Sequence, residues 1–443
     1  MAMSTTTFSD LPFEVQEMIG PFLRPHDLAH CVRVNKIWKT VFNPVLWKHL
    51  EEPEPLESAQ KQFAQEGRGK VRKKECWYAV LMRCAKVGAL RHNGNLVETI
   101  KFINCGDKFL EDFVSESPYG MQHLHTVEIE GVESDDDTIS SFIGLSLAGW
   151  KRLVFRLDDP CLRLGFGFQS IEMLQDNVDT LEVFRLEAMM EHVEGCSLQM
   201  LLCEASVLKE FYLIPPSRNA IDDCIHMEAW MIARDFANGE RWACTELEVF
   251  GCQIADIPRP DITRDIVGVT PNNFVEGGPR KKSINMQRGV YKQLARLKKL
   301  KLLTLGIPID TYYKNYTMGD KEHYRQYDCL AMTLESGLNL LKDLKYLEEV
   351  DLEDMEVYID WEEEQAWVEK NWPKVFIHTS GCVTDLDFYT DEDDEEDEDE
   401  EIQAYGGVPY IVQALDDEDF GAVYDDDSND DNWSDTDGSN DSD

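Results

Sequence analysis

Between residues 97 and 377 the chain repeats one six-residue pattern nine times: apolar-x-x-apolar-x-apolar. The copies begin at Val97, Leu124, Trp150, Leu181, Leu208, Leu247, Leu300, Leu347 and Trp372, at intervals of 27, 26, 31, 27, 39, 53, 47 and 25 residues. The last two apolar positions alternate with exposed ones, as a short strand with one buried face requires. Some stretches between copies are helix-patterned. From Gly337 to Tyr346, Leu338, Leu340, Leu341 and Leu344 line a face. One strand and one helix cannot bury their apolar faces alone, but stacked copies share a continuous core. Residues 94–380 are therefore expected to form an irregular α/β solenoid.

In such a stack the strands line one face, and the residues between the apolar ones point out of it. A basic stretch (Arg152, Arg156, Arg185) then gives way to an acidic one (Glu349, Asp351, Glu353). A protein substrate of matching polarity is expected on Lys101, Glu128, Arg152, Arg156, Arg185, Tyr212, Glu349 and Asp351.

The N-terminal block Leu11 to Leu50 follows a different pattern. Twenty of its forty residues are apolar, too many for so small a unit to hide. Such a block suits a docking module that completes its core on a partner. Ser9 and Asp10 can cap a first helix, with Pro12 in its first turn. Val15, Met18, Ile19, Phe22 and Leu23 fall on one helical face, and Pro21 shortens or kinks that helix. Asp27 can cap a second helix carrying Leu28, Cys31 and Val32. Asn35 can cap a third carrying Ile37, Trp38, Val41 and Phe42, which Asn43-Pro44 should stop.

At Leu11-Pro12, Ile19, Leu23, Asp27-Leu28, Val32, Val34, Trp38 and Leu46-Trp47 the block (residues 8–50) resembles an F-box. The repeats downstream resemble the leucine-rich solenoid of an F-box protein, several intervals falling in its 20–29-residue range. The match is degenerate. The family's Asn or Cys, eight residues after the first apolar position, appears only as Cys105. The other copies place Val132, Asp158, Met189, Pro216, Ala255, Pro308 and Met355 there, so no buried asparagine ladder is expected. The resemblance implies a substrate receptor of an SCF-type ubiquitin ligase, docked on a Skp-type adaptor of the cullin–RING scaffold. It places the adaptor contact and its supporting core at Leu11, Pro12, Ile19, Leu23, Leu28, Val32, Trp38 and Trp47. It implies no cofactor, because the chemistry belongs to other subunits.

Residues 51–93 read as a linker, ending in Arg68, Lys70, Arg72, Lys73 and Lys74, and then a helical cap from Trp77 to Leu90. Residues 253–290, with Pro258, Pro260, Pro271 and Pro279, read as an extended insertion. Residues 381–443 read as a disordered acidic tail. Of 86 acids, 26 lie in residues 385–443 with no Lys or Arg, and Asp391 to Glu401 is an unbroken run of eleven. The remaining 60 acids against 43 bases leave the body mildly acidic, the wrong sign for neutralising phosphates, so no nucleic acid is expected. No apolar run is long enough for a membrane span, and residues 1–10 have no signal-peptide pattern. Twelve cysteines without a C-x-x-C pair read as reduced thiols of a cytoplasmic or nuclear protein.

A catalytic constellation is not legible. P-loop, G-x-S-x-G and H-E-x-x-H patterns are absent. Gly165-Phe-Gly167 starts like a nucleotide loop, but Ser170 stands where the third glycine belongs. Two other classes share leucine-rich repeats with an acidic tail. One is a non-ligase adaptor whose tail binds basic proteins such as histones. The other is a Ran-type GTPase activator, whose repeats are far more regular than these.

Overall fold

Each of the nine copies becomes a strand in the computed structural model. It describes residues 8, 11–51, 77–103, 108–117, 120–157, 163–190, 195–215, 230–257, 279–306, 329–353, 355, 357, 359 and 362–379. The strands are β1 (His49–Glu51), β2 (Thr99–Phe102), β3 (Thr126–Glu130), β4 (Arg152–Arg156), β5 (Arg163–Leu164), β6 (Val183–Glu187), β7 (Met189–Met190), β8 (Glu210–Tyr212), β9 (Trp230–Ile232), β10 (Val249–Gly251), β11 (Gln253–Ala255), β12 (Leu302–Thr304), β13 (Glu349–Leu352) and β14 (Phe376–Thr379). Ten of them form one sheet in the order β1-β2-β3-β4-β6-β8-β10-β12-β13-β14. Every pairing in it is parallel. Two short two-stranded sheets, β5 with β7 and β9 with β11, form beside it.

The repeat pattern explains the core. The first apolar residue of each of the first six copies is 0% exposed, and so is the fourth-position residue that follows it. Phe184, Phe211 and Phe250 occupy that fourth position in consecutive copies. Their rings follow one another through the core with centroids 5.9 Å apart at each step, tilted at 53° in the first pair and stacked at 19° in the second. Burying such a ring contributes about 1.5–3 kcal/mol. Eight-residue helices, Phe109–Glu116, Asp136–Ile143 and Phe168–Gln175, carry the chain between early strands. This is the parallel-strand α/β solenoid expected from the repeats. At the expected asparagine position, Val132 and Met355 are buried instead.

The tenth strand was not legible as a repeat. β1 belongs to the N-terminal block, and it pairs in register with β2 (His49↔Thr99, Leu50↔Ile100, Glu51↔Lys101). Trp47 and Leu50 pack against the repeat core. The block therefore runs directly into the sheet, and the linker begins after it.

Four local expectations need correction. Asn43-Pro44 does not stop the third helix, which runs from Lys36 to Lys48 through Pro44. Packing of its last turn against the repeats outweighs the missing N–H. The second helix begins at Pro25, so Asp27 lies in its first turn, and Arg24 holds the N-cap position without a side-chain cap bond. The segment Gly337 to Tyr346 makes a 3-10 helix, Leu338–Asp343, after Gly337 at φ 123°. The 253–290 insertion is in part regular: it contains β11, and Pro279–Leu294 is a 16-residue helix. Its Val290, Tyr291 and Leu294 are 0% exposed, so apolar spacing outweighs the Pro and Gly signals. Residues 52–76, 258–278 and the tail 381–443 lie outside the described residues.

Gly165-Phe-Gly167 has a structural use. Asp136, from the preceding repeat, accepts from Gly167 N (2.9 Å), Gln169 N (2.9 Å) and Ser170 N (3.0 Å). Its carboxylate thus fills the N-terminus of helix Phe168–Gln175, where a phosphate would sit in a nucleotide loop. A Cβ at Gly165 would lie 2.5 Å from Ser134 O. The glycines let two repeats approach.

Candidate functional site

Two surfaces merit description, the N-terminal helical module and the strand face of the repeats. The module has three helices, α1 (Phe13–Ile19), α2 (Pro25–Val34) and α3 (Lys36–Lys48), with a 3-10 turn Gly20–Phe22 after α1. Pro12 stands at the N-cap of α1 without a side-chain cap bond, and Gln16 Nε2 donates to Leu11 O at 2.7 Å. Pro21 tightens the chain into the 3-10 turn. Asn35 caps α3 as expected, its Oδ1 accepting from Trp38 N at 2.8 Å. A Cβ at Gly20 would stand 2.9 Å from Val45 Cγ2, so glycine allows α1 to approach α3.

The module's own core is small. Leu28, Val41 and Phe42 are buried, with Phe8, Leu23, Cys31, Val32, Trp38, Val45 and Leu46 partly buried around them. Phe8 packs edge-on against Trp38 at 4.8 Å. Trp38 Nε1 is buried without a hydrogen-bond partner. Against this, Phe13 (47%), Val15 (40%), Met18 (68%), Phe22 (86%), Val34 (58%) and Ile37 (57%) are exposed. The apolar face expected on the first helix is in fact two faces. Gln16, Ile19 and Leu23 turn inward, whereas Val15, Met18 and Phe22, also three and four apart, turn to solvent. A surface of this kind marks an interaction site.

On the repeats, register sets the outward residues in rows. One row runs Glu51, Lys101, Glu128, Val154, Arg185, Tyr212, Gly251, Thr304, Asp351 and His378. The expected basic stretch is neutralised here. Arg152 Nε lies 2.6 Å from Glu128 and Arg156 Nε 3.1 Å from Glu187. Arg185 reaches Glu187 at 2.9 Å and Glu210 at 3.3 Å, while Lys101 meets Glu128 at 3.4 Å. Burial works to raise the Glu128 carboxyl, but the Arg152 hydrogen bond and charge, with Lys101, hold it below its ordinary value. Glu128, Glu187 and Glu210 reach Arg152, Arg156 and Arg185 from neighbouring strands, and Glu187 also meets Arg185 within its own strand.

Tyr212 forms the middle of this face. Its ring lies under the Arg185 guanidinium, 4.6 Å from centroid to Cζ. It also crosses the neighbouring strand over Gly251, where any Cβ would overlap it. Burial, then the charges of Asp351 and Glu187, push the phenol up to about 12. Beyond it stand the carboxylate side chains of Glu349, Asp351 and Glu353. Glu349 pairs with His378 at 2.9 Å. Asp351 Oδ1 accepts from Glu353 N at 3.0 Å, and burial above all raises its carboxyl. Phe376 stands 63% exposed on the adjoining strand.

The F-box-like family model matches residues 8–52. This chain carries an F-box-like domain. No curated protein matches the sequence. A solved structure of a leucine-rich-repeat protein of Leptospira interrogans is similar at 11% identity and TM-score 0.19, covering 66% of this chain and 74% of that one.

The eight residues expected at the adaptor contact all lie in the F-box-like domain but face different ways. Leu28 is in its small core, and Leu23, Val32 and Trp38 surround that core. Leu11 and Ile19 are half-buried, and Pro12 is an exposed cap. Trp47 is turned to the repeats. Sequence reasoning missed the outer arc as a separate surface; alternation of 15-18-22 with 16-19-23 was the available signal. Of the repeat residues, Glu128, Arg152, Arg156, Arg185 and Tyr212 come together with Lys101 across strands β2 to β8, and Glu349 and Asp351 form a second group on β13. All eight share the strand face.

Proposed function

We propose that this chain is a non-catalytic substrate receptor of an SCF-type ubiquitin ligase. In this reading the F-box-like domain docks on a Skp-type adaptor of a cullin–RING scaffold, and the strand face of the repeats takes a protein substrate. The observation that carries the reading is the exposed apolar arc of Phe13, Val15, Met18 and Phe22, continued by Val34 and Ile37, in a domain that the F-box-like model matches. Burying these side chains on a partner gives the domain the core it lacks. The pairing of β1 with β2 supports a receptor role, since it ties the docking domain to the substrate face by backbone hydrogen bonds. A substrate held at a fixed place relative to the scaffold gains by proximity to the charged ubiquitin carrier.

Polarity narrows the substrate. The arginines of the face are already paired with glutamates, whereas the acids of β13 have only His378 as a basic neighbour, on Glu349, and stand beside the exposed Phe376. A segment presenting lysine or arginine suits it.

The test is co-purification of the full chain with a Skp-type adaptor. The double variant Met18→Ser/Phe22→Ser should lose the adaptor while retaining its unfolding midpoint. Undiminished capture by the variant would refute the docking reading. Deletion of residues 385–443 should leave adaptor capture intact; loss of every partner on that deletion would favour an adaptor driven by its acidic tail.

A further inference from the structure

α2 carries His26 and His30, one helical turn apart and both exposed. Their Nε2 atoms stand 3.2 Å apart, with ring centroids at 4.5 Å and planes at 71°. A head-on pair at that separation would hold its centroids farther apart, so neither nitrogen points straight at the other. A third observation concerns His26 alone. The Asp27 carboxylate lies 3.8 Å from its Nδ1, on the side opposite Nε2.

Imidazole binds first-row metals at roughly 2.0–2.1 Å. Two such bonds span about 3.4 Å between nitrogens at a tetrahedral centre and about 2.9 Å at a square-planar one. The observed 3.2 Å lies between these values. The pair is already at chelating distance, so binding needs little rearrangement of the helix. Ligating histidines ordinarily give their other N–H to a carboxylate, which fixes the tautomer. Asp27 Oδ1, 3.8 Å from His26 Nδ1, needs a small side-chain turn to do this, and Arg24 holds Asp27 through a 2.8 Å ion pair.

We propose that His26 and His30 form a two-imidazole chelate for a divalent first-row transition metal ion, with Asp27 as the outer carboxylate of His26. Water fills the remaining positions. Each imidazole binds as its Nδ1–H tautomer, which leaves both Nε2 lone pairs for the metal and turns Nδ1–H of His26 towards Asp27. The affinity order follows the general series, Cu²⁺ above Ni²⁺ and Zn²⁺. Among the described residues no group of three or more His, Cys, Asp and Glu side chains is placed to hold an ion, so this pair is the smallest kind of site.

The probe is Ni²⁺ alone, titrated calorimetrically into the full chain and into His26→Ala, His30→Ala and Asp27→Asn. All three residues are on the surface of α2, and circular dichroism checks that each variant folds. Acids and cysteines elsewhere are common to all four proteins, so differences in stoichiometry isolate the pair. Each histidine variant should bind one Ni²⁺ fewer than the parent. Asp27→Asn should keep the stoichiometry and weaken that site on the order of tenfold. Equal stoichiometry in the parent and in either histidine variant would overturn the site. Unchanged affinity in Asp27→Asn would overturn the role given to Asp27.

Discussion

The F-box-like domain and the repeats use apolar residues in opposite ways. In the repeats, Leu124, Val127 and Ile129 of one copy, or Leu208, Phe211 and Leu213 of another, are all 2% exposed or less. In the domain, Leu28, Val41 and Phe42 are enclosed, while Met18 and Phe22 stand 68% and 86% exposed. A stacked unit finds its complement in the next copy of itself. Among the described residues the N-terminal domain meets the stack along α3 and β1, and its α1 and α2 present an apolar arc to solvent. A self-sufficient body and a domain with an unburied apolar arc thus share one sheet.

Predictions test each half of this contrast. Phe211→Ala should have the largest effect. It removes the middle ring of the Phe184–Phe211–Phe250 stack and should cost about 3–5 kcal/mol, read as a lower urea midpoint. A loss below about 1 kcal/mol would mean the repeats are less tightly packed than described. Gly251→Ala should cost about 1–3 kcal/mol by displacing the Tyr212 ring. In its alkaline absorbance titration one phenol should move down from about 12 toward the ordinary range near 10. Asp136→Ala removes the cap that one repeat gives the next and should cost about 1–2 kcal/mol in the same urea assay.

A smaller effect concerns pH. Burial first, then Lys151, lowers the imidazole of His125 from its ordinary 6.5. The folded state therefore favours neutral His125. Its contribution is complete above pH 6.5 and is lost as the pH falls from 6.5 towards the lowered folded value. His125→Gln should flatten the stability profile just below pH 6.5. An unchanged slope would remove His125 from the account. Smallest of all, Met18→Ser and Phe22→Ser should shift stability by no more than about 0.5 kcal/mol, because neither side chain is enclosed.

The repeats were legible because their signal is local. Eight of the nine copies start a strand two residues after their first apolar position, and the ninth, at Trp372, starts four after. What could not be read is pairwise. Glu187 and Glu210 neutralise Arg156 and Arg185 across strands, and only register brings them together. β1 carries no repeat pattern, and its strand conformation comes from pairing with β2. Pro44 misled for a related reason, since the packing that carries α3 past it lies about fifty residues away. In the domain, composition announced an apolar excess, but a single helical face was expected where the structure has an inner and an outer one.

The central claim is that the N-terminal domain is left open for an adaptor while the repeats are complete. Amide hydrogen exchange on the full chain, with and without a Skp-type adaptor, tests it most directly. The account predicts slow exchange in the sheet strands between residues 97 and 379 in both states. It predicts faster exchange in residues 13–38 of the free chain and marked protection there on adding the adaptor. Equal protection of residues 13–38 in both states would contradict it.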